Sequence, residues 1–184
     1  KAFKNLISER DFSTITWAEI ARNAGVNEAL IYKYFKDKRG LLHHAMAEGL
    51  KHFIDNLEFS LSRVEGSLHK LKKLIWHHIN TYNNNRIFAK MQMIEAISYQ
   101  EYFQSEAYKL AKEYGRIILR ILKEGVKTGE IRNDINLKSL RQHILGAIEL
   151  HCLPKVIFDR KMYPNKITND ICKVLFDGIK KPDY

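Results

Sequence analysis

Four cations and one acid fall within seven consecutive residues: Lys33, Lys36, Asp37, Lys38 and Arg39. Ammonium and guanidinium groups at that density suit phosphate oxygens, and the hydroxyls of Tyr32 and Tyr34 add two donors of the same kind. Immediately ahead stand Asn27, Glu28, Ala29 and Leu30. These are small or hydrogen-bonding groups that can read base edges, and Leu30 can pack on a thymine methyl. Such chemistry needs no catalyst, only a rigid element that presents both sets of groups outward.

The local sequence supplies one. Apolar residues recur at intervals of three and four almost throughout, and alternating strand-like runs are missing, so an all-α fold of about nine helices is predicted. A first helix over residues 2–8 turns Phe3, Leu6 and Ile7 inward, and Phe12 plugs the turn after it. Thr16-Trp17-Ala18-Glu19 is a capping box that starts the second helix, and Gly25 suits its left-handed stop. Asn27 can cap a third helix running to Phe35, and Asp37 a long fourth one from Leu41 to Leu61. On the third helix Ile31 and Phe35 face Ile20, Ala21 and Val26, which leaves Ala29 and Lys33 outside. Two short helices joined by the tight Ala24-Gly25-Val26 turn form a helix-turn-helix pattern, in which one helix braces another that enters the DNA major groove.

These residues resemble a known family. Ile20-Ala21, Ala24-Gly25-Val26, Ile31-Tyr32, Tyr34-Phe35, Lys38 and Leu41-Leu42 match the N-terminal signature of TetR-type (TetR/AcrR) bacterial transcriptional regulators, over about residues 3–46. The resemblance implies an N-terminal three-helix DNA-binding head at residues 1–46 and a larger helical body at 47–184 for ligand binding and dimerisation. It also implies a homodimer whose last two helices form the interface. By the same resemblance Trp17, Ala18, Asn27, Glu28, Ala29, Leu30, Tyr32, Lys33, Tyr34 and Lys38 take DNA-facing positions, with Thr16 beside them at the cap. The implied function is a ligand-responsive regulator, a repressor that holds a palindromic double-stranded operator until a small apolar or aromatic effector releases it.

Beyond Gly66 five further helices are expected, over residues 67–83, 86–98, 105–127, 136–160 and 166–180, with Pro154 kinking or dividing the fourth of them. Residues beside their inward stripes are the candidates to line an effector cavity. They are Trp76, His78 and Tyr82, then Phe88, Met91, Met93, Ile94 and Glu95, then Tyr114, Ile117 and Ile118, and last His143, Ala147 and His151. Taken singly, each is more often core filling, so the expectation attaches to the set. The mixture points to an apolar ligand, aromatic or long-chain.

Other functions find less support. The doublets His43-His44 and His77-His78 diverge by about 100° on a helix, so each offers a single ligand to any one site and no metal is expected. A glycine-rich phosphate loop and a nucleophile elbow are missing, which argues against an enzyme and against a bound cofactor. A regulator controlled by a protein partner without an effector and a helical metal-binding enzyme remain as alternatives. With 45% hydrophobic residues and only 9 Gly and 3 Pro, the composition excludes collagen-like and wholly disordered chains. The net charge of +10 is spread widely, with eight Lys and Arg against six Asp and Glu in the first fifty residues, so it does not locate a binding face. No apolar run approaches the roughly 18 residues of a membrane span. Cys152 and Cys172 are too few for a disulfide framework, and the cytoplasm is the expected compartment.

Overall fold

The computed structural model describes residues 2–10, 12–95 and 99–180. The first helix, α1 (Ala2–Glu9), buries Phe3, Leu6 and Ile7, and a 3-10 turn over Phe12–Thr14 sets the Phe12 ring edge-on to Phe3 at 6.1 Å. The capping box of α2 (Trp17–Ala24) is present: Thr16 N–H donates to Glu19 Oε2 at 2.9 Å and Glu19 N–H to Thr16 Oγ1 at 3.3 Å. Those bonds, the Thr16 amide foremost and then the Arg10 guanidinium at 2.8 Å, hold the Glu19 carboxyl down to about 2. Gly25 ends the helix at φ +67°, a conformation that costs a residue with a Cβ about 1–2 kcal/mol. Asn27 Oδ1 accepts from Ala29 N–H at 2.8 Å to start α3 (Glu28–Phe35), and Asp37 Oδ1 accepts from Gly40 N–H at 2.7 Å to start α4 (Lys38–Leu61).

Between α3 and α4 the chain turns in the least space available. Lys36 has φ +54° and Asp37 N–H donates to Phe35 C=O at 2.5 Å, a three-residue turn that is strained for a residue with a Cβ. Gly40 permits it, because a Cβ at position 40 would collide with the Phe35 carbonyl oxygen.

The body is built around α5 (Ser67–Asn84), which packs against α4, α7 (Glu106–Thr128), α8 (Leu137–Ile157) and α9 (Pro164–Ile179). Leu71, Leu74, Ile75 and Ile79 on α5 are sealed from solvent. Its first amides are capped from far along the chain: Glu130 accepts from Ser67 N–H at 2.9 Å and from Leu68 N–H at 3.2 Å, which lowers the Glu130 pKa. A short α6 (Arg86–Lys90) widens into a π-helical turn over Met91–Glu95, and a 3-10 segment over Gln100–Gln104 leads into α7.

The all-α fold of nine α-helices is therefore present among the described residues, where the one strand-like pairing is an isolated bridge between Ile131 and Lys180. The sixth helix is the main departure: a five-residue α-helix and a π turn stand where one helix over 86–98 was expected, and residues 96–98 lie outside the described ones. Pro154 does not divide α8, which continues to Ile157. The carbonyl that the proline leaves unpaired belongs to Leu150, a residue 72% exposed, where water can take the vacant bond. Gly40→Ala is expected to cost about 1–3 kcal/mol in chemical denaturation, because the new methyl meets backbone that cannot move without undoing the turn. An unchanged midpoint would show that the turn relaxes freely.

Candidate functional site

The outer face of α3 is open. Asn27, Glu28, Ala29 and Lys33 are exposed, with Leu30 at 45%, Tyr32 at 48% and Tyr34 at 69%, and on α2 Ala18 and the cap residue Thr16 are exposed as well. Trp17 is half-buried, its ring centroid 4.9 Å from that of Tyr32, so the two rings brace one another at the junction of α2 and α3. Several of these groups are already engaged: Thr16 Oγ1 and Asn27 Oδ1 hold helix caps. Ile31 is buried and Phe35 half-buried as expected, but Val26 is 39% exposed and borders a shallow apolar depression with Leu30 and Tyr34.

Lys38 requires a correction. Its ammonium donates to the carbonyls of Ile15 at 2.5 Å, Ser13 at 3.3 Å and Phe12 at 3.4 Å, and lies 5.1 Å from the centre of the Phe12 ring. It clamps the turn before α2 to the start of α4, and is not a free donor to phosphate.

Inside the body lies a cavity of about 410 Å³, within the range of ligand pockets. His78, Tyr82, Phe88, Met93 and Tyr114 line it as expected. The other candidates do not. Trp76 lies in a separate surface cleft beside α9, its Nε1–H donating to Asn165 Oδ1 at 2.7 Å. Met91, Ile117 and Ile118 are buried core, and Ile94, Glu95 and Ala147 are half-buried outside the lining. His143 and His151 are exposed, each donating from Nδ1 at 2.8 Å to the carbonyl four residues earlier, Ser139 and Ala147. The face of α8 that does line the cavity is Leu145, Glu149 and Leu153, with the exposed Leu150 beside it. It has the same spacing of four as 143, 147 and 151, two residues out of phase. Leu50 and Phe53 of α4, Gln92 of the π turn, Tyr102 of the 3-10 segment and Ala111 of α7 complete what the sequence reading missed.

Six polar side chains interrupt this apolar lining, Gln92 and Tyr102 among them, and the other four are linked in two pairs. Tyr82 O–H donates to Glu149 Oε1 at 3.1 Å, and the Tyr114 hydroxyl lies 3.0 Å from His78 Nδ1. The second ring nitrogen, His78 Nε2, is 3.7 Å from Glu149 Oε1, beyond hydrogen-bond reach. Burial, and after it the charge of His77, pushes the His78 pKa down to about 3, so the ring is neutral and makes no ion pair with Glu149. Burial also raises the Glu149 carboxyl, partly offset by the Tyr82 bond, although its side chain keeps 39% of its surface, which includes cavity wall. Burial raises both Tyr82 and Tyr114 well above 10. Both cysteines are buried free thiols, pushed up to about 11, and no group of three His, Cys, Asp or Glu among the described residues is placed to hold a metal.

Cavity wall and head are joined twice. Lys90, at the end of α6, donates to the carbonyls of Arg10 at 3.2 Å and Ile7 at 3.4 Å, where α1 ends. Arg39, in the first turn of α4, pairs with Glu101 at 3.3 Å and lies over the Tyr99 ring at 4.1 Å, next to the cavity-lining Tyr102.

An open recognition helix on a small head, carried on a helical body with an apolar cavity, defines a DNA-binding regulator. Residues 1–45 match the model "Bacterial regulatory proteins, tetR family" and residues 46–178 the model "YsiA-like protein, C-terminal region", and the chain belongs to the TetR family of transcriptional regulators. It is 26% identical to the fatty acid metabolism regulator protein of Bacillus subtilis over 174 residues, 95% of this chain and 90% of that protein. The structure of FadR from Bacillus subtilis in complex with stearoyl-CoA matches at TM-score 0.87 with 28% identity, covering 97% of this chain and 96% of that one. FadR from Bacillus halodurans, at TM-score 0.86 and 22% identity over 96% and 92% of the two chains, shares the fold. These relatives are regulators, and no described helix is long and apolar enough to cross a membrane.

Because the folded His78 pKa lies below the ordinary 6.5, the unfolded chain binds the extra proton. The contribution of His78 to stability is thus intact above pH 6.5 and is lost toward about 3, by at most about 1.4 kcal/mol per pH unit. His43 and His77 shift the same way, and Glu149 the opposite way. The ring is therefore best followed directly: its NMR signal should not titrate between about pH 5 and about pH 8. A midpoint near 6.5 would contradict the burial argument.

Proposed function

We propose that the chain acts in the cytoplasm as a dimeric repressor that holds a palindromic operator and releases it when a long-chain acyl thioester enters the body cavity. One observation carries this reading: a cavity of about 410 Å³, walled by Leu50, Phe53, Phe88, Met93 and Leu153, in the body of a DNA-binding regulator. The stearoyl-CoA complex of the Bacillus subtilis relative supports the ligand class. A second copy has a surface to meet on the last two helices, where Leu150 is 72% and Val174 79% exposed, with Phe158 at 64% just beyond α8. Pairing there buries apolar area and sets two α3 helices side by side. Successive major grooves lie about 34–36 Å apart, so a dimer holds both half-sites only while its heads keep that separation.

The DNA-facing set on this reading is Thr16, Trp17, Ala18, Asn27, Glu28, Ala29, Leu30, Tyr32, Lys33 and Tyr34. Asn27, Glu28 and Ala29 stand at the opening of α3 for base edges, and Lys33, Tyr32 and Tyr34 supply donors for phosphate. A ligand that binds better to heads held apart at the wrong separation shifts the population off DNA, by no more than its differential affinity.

The test is fluorescence anisotropy on a duplex selected by the protein from a random pool. Palmitoyl-CoA should weaken binding by about 5–150-fold while CoA alone leaves it unchanged, and Ala29→Asp should abolish binding through its charge against the duplex. Equal operator affinity with and without palmitoyl-CoA would overturn the effector assignment.

A further inference from the structure

The polar groups in the cavity wall are more than its packing needs. An apolar ligand is held by Leu50, Phe53, Phe88 and Met93 alone, and each buried polar group is unfavourable unless it is hydrogen-bonded. Tyr82 meets this condition through Glu149, and Tyr114 through His78. The carboxyl on the Nε2 side favours the proton of a neutral imidazole on that nitrogen, which leaves Nδ1 to accept from the Tyr114 hydroxyl. That N–H is on the Glu149 side and is left 3.7 Å from Oε1, too far to be satisfied by it. The wall thus contains an N–H donor and a carboxyl separated by an unclosed gap.

A ligand atom that closes the gap must accept a hydrogen bond from a neutral ring and tolerate a carboxyl beside it. A free fatty-acid carboxylate fails the second condition, since two carboxyl groups that close cannot both ionise. A hydrocarbon fails the first. A neutral carbonyl flanked by apolar chain fulfils both.

We propose that His78 Nε2–H donates to the carbonyl of the acyl thioester, the acceptor that Glu149 Oε1 at 3.7 Å is too far away to be, so that the cavity selects an acyl thioester over an alkyl chain of equal length. The proposal rests on the acyl reading of the cavity made above and adds to it a residue that sets specificity. His78 is the donor, Tyr114 occupies its Nδ1, and Tyr82 holds Glu149 in place.

The experiment compares palmitoyl-CoA with its thioether analogue S-hexadecyl-CoA, which lacks only the carbonyl, by calorimetric titration of the full chain. The wild type should bind the thioester roughly three- to tenfold more tightly, the value of one hydrogen bond. His78→Leu should bring that ratio to one, and His78→Gln, whose amide can still donate, should restore part of it. Because the readout is a ratio of two affinities in the same protein, a general loosening of the core divides out. Equal affinities in the wild type, or a ratio that survives His78→Leu, would overturn the proposal and leave the acyl reading standing. No binding of either compound would bring down both.

Discussion

The ammonium of Lys90 ties the cavity wall to the N-terminal head. Lys90 ends the short helix that carries Phe88 into the cavity, and its Nζ reaches the carbonyls of Ile7 and Arg10 as α1 closes. A cation belongs there, since the last carbonyls of a helix are unpaired and carry the negative end of its dipole. The exposed Arg39–Glu101 pair across the same junction is of the kind that contributes little alone. Its value lies in where it attaches, between the first turn of α4 and the segment that delivers Tyr102. α4 itself runs unbroken from the head to Leu61 and places Leu50 and Phe53 in the cavity wall.

The strained turn at Lys36 and the clamp at Lys38 have meaning in that setting. Lys38 fastens the carbonyls of residues 12–15 to the start of α4, so the head is held as one body around its anchor. The π turn over Met91–Glu95 stands at the other end of this path, with Gln92 and Met93 in the cavity wall. Single π turns of that kind are frequent at functional sites.

The head was largely legible from sequence because its chemistry is local. Thr16 with Glu19, Asn27, Asp37 and Gly25 act within four residues of themselves, and each stands where its type predicts. The body was legible only as far as helical phase could be inferred. On α5 two of the three candidates, His78 and Tyr82, reach the cavity, while Trp76 turns to a separate cleft beside α9. On α8 the histidines at 143 and 151 drew attention to the wrong face, while the buried Ile144, Ile148 and Cys152 indicate the stripe beside which Leu145, Glu149 and Leu153 lie. After α6 the π turn resets the phase, so that Met91 goes into the core and Gln92 and Met93 to the cavity, which no 3.6-residue pattern contains. The partners of Lys38 and Lys90 are backbone carbonyls distant in sequence, and the charge of a lysine does not disclose them.

The tie between wall and head is tested most directly by the coupling between the two sites. Operator affinity is measured with and without saturating palmitoyl-CoA, in the wild type and in Lys90→Met, which keeps the bulk of the side chain and removes the ammonium. The wild-type ratio should fall within about 5–150-fold, and in Lys90→Met it should fall toward one while palmitoyl-CoA still binds. A ratio as large in Lys90→Met as in the wild type would contradict the tie and place the coupling elsewhere.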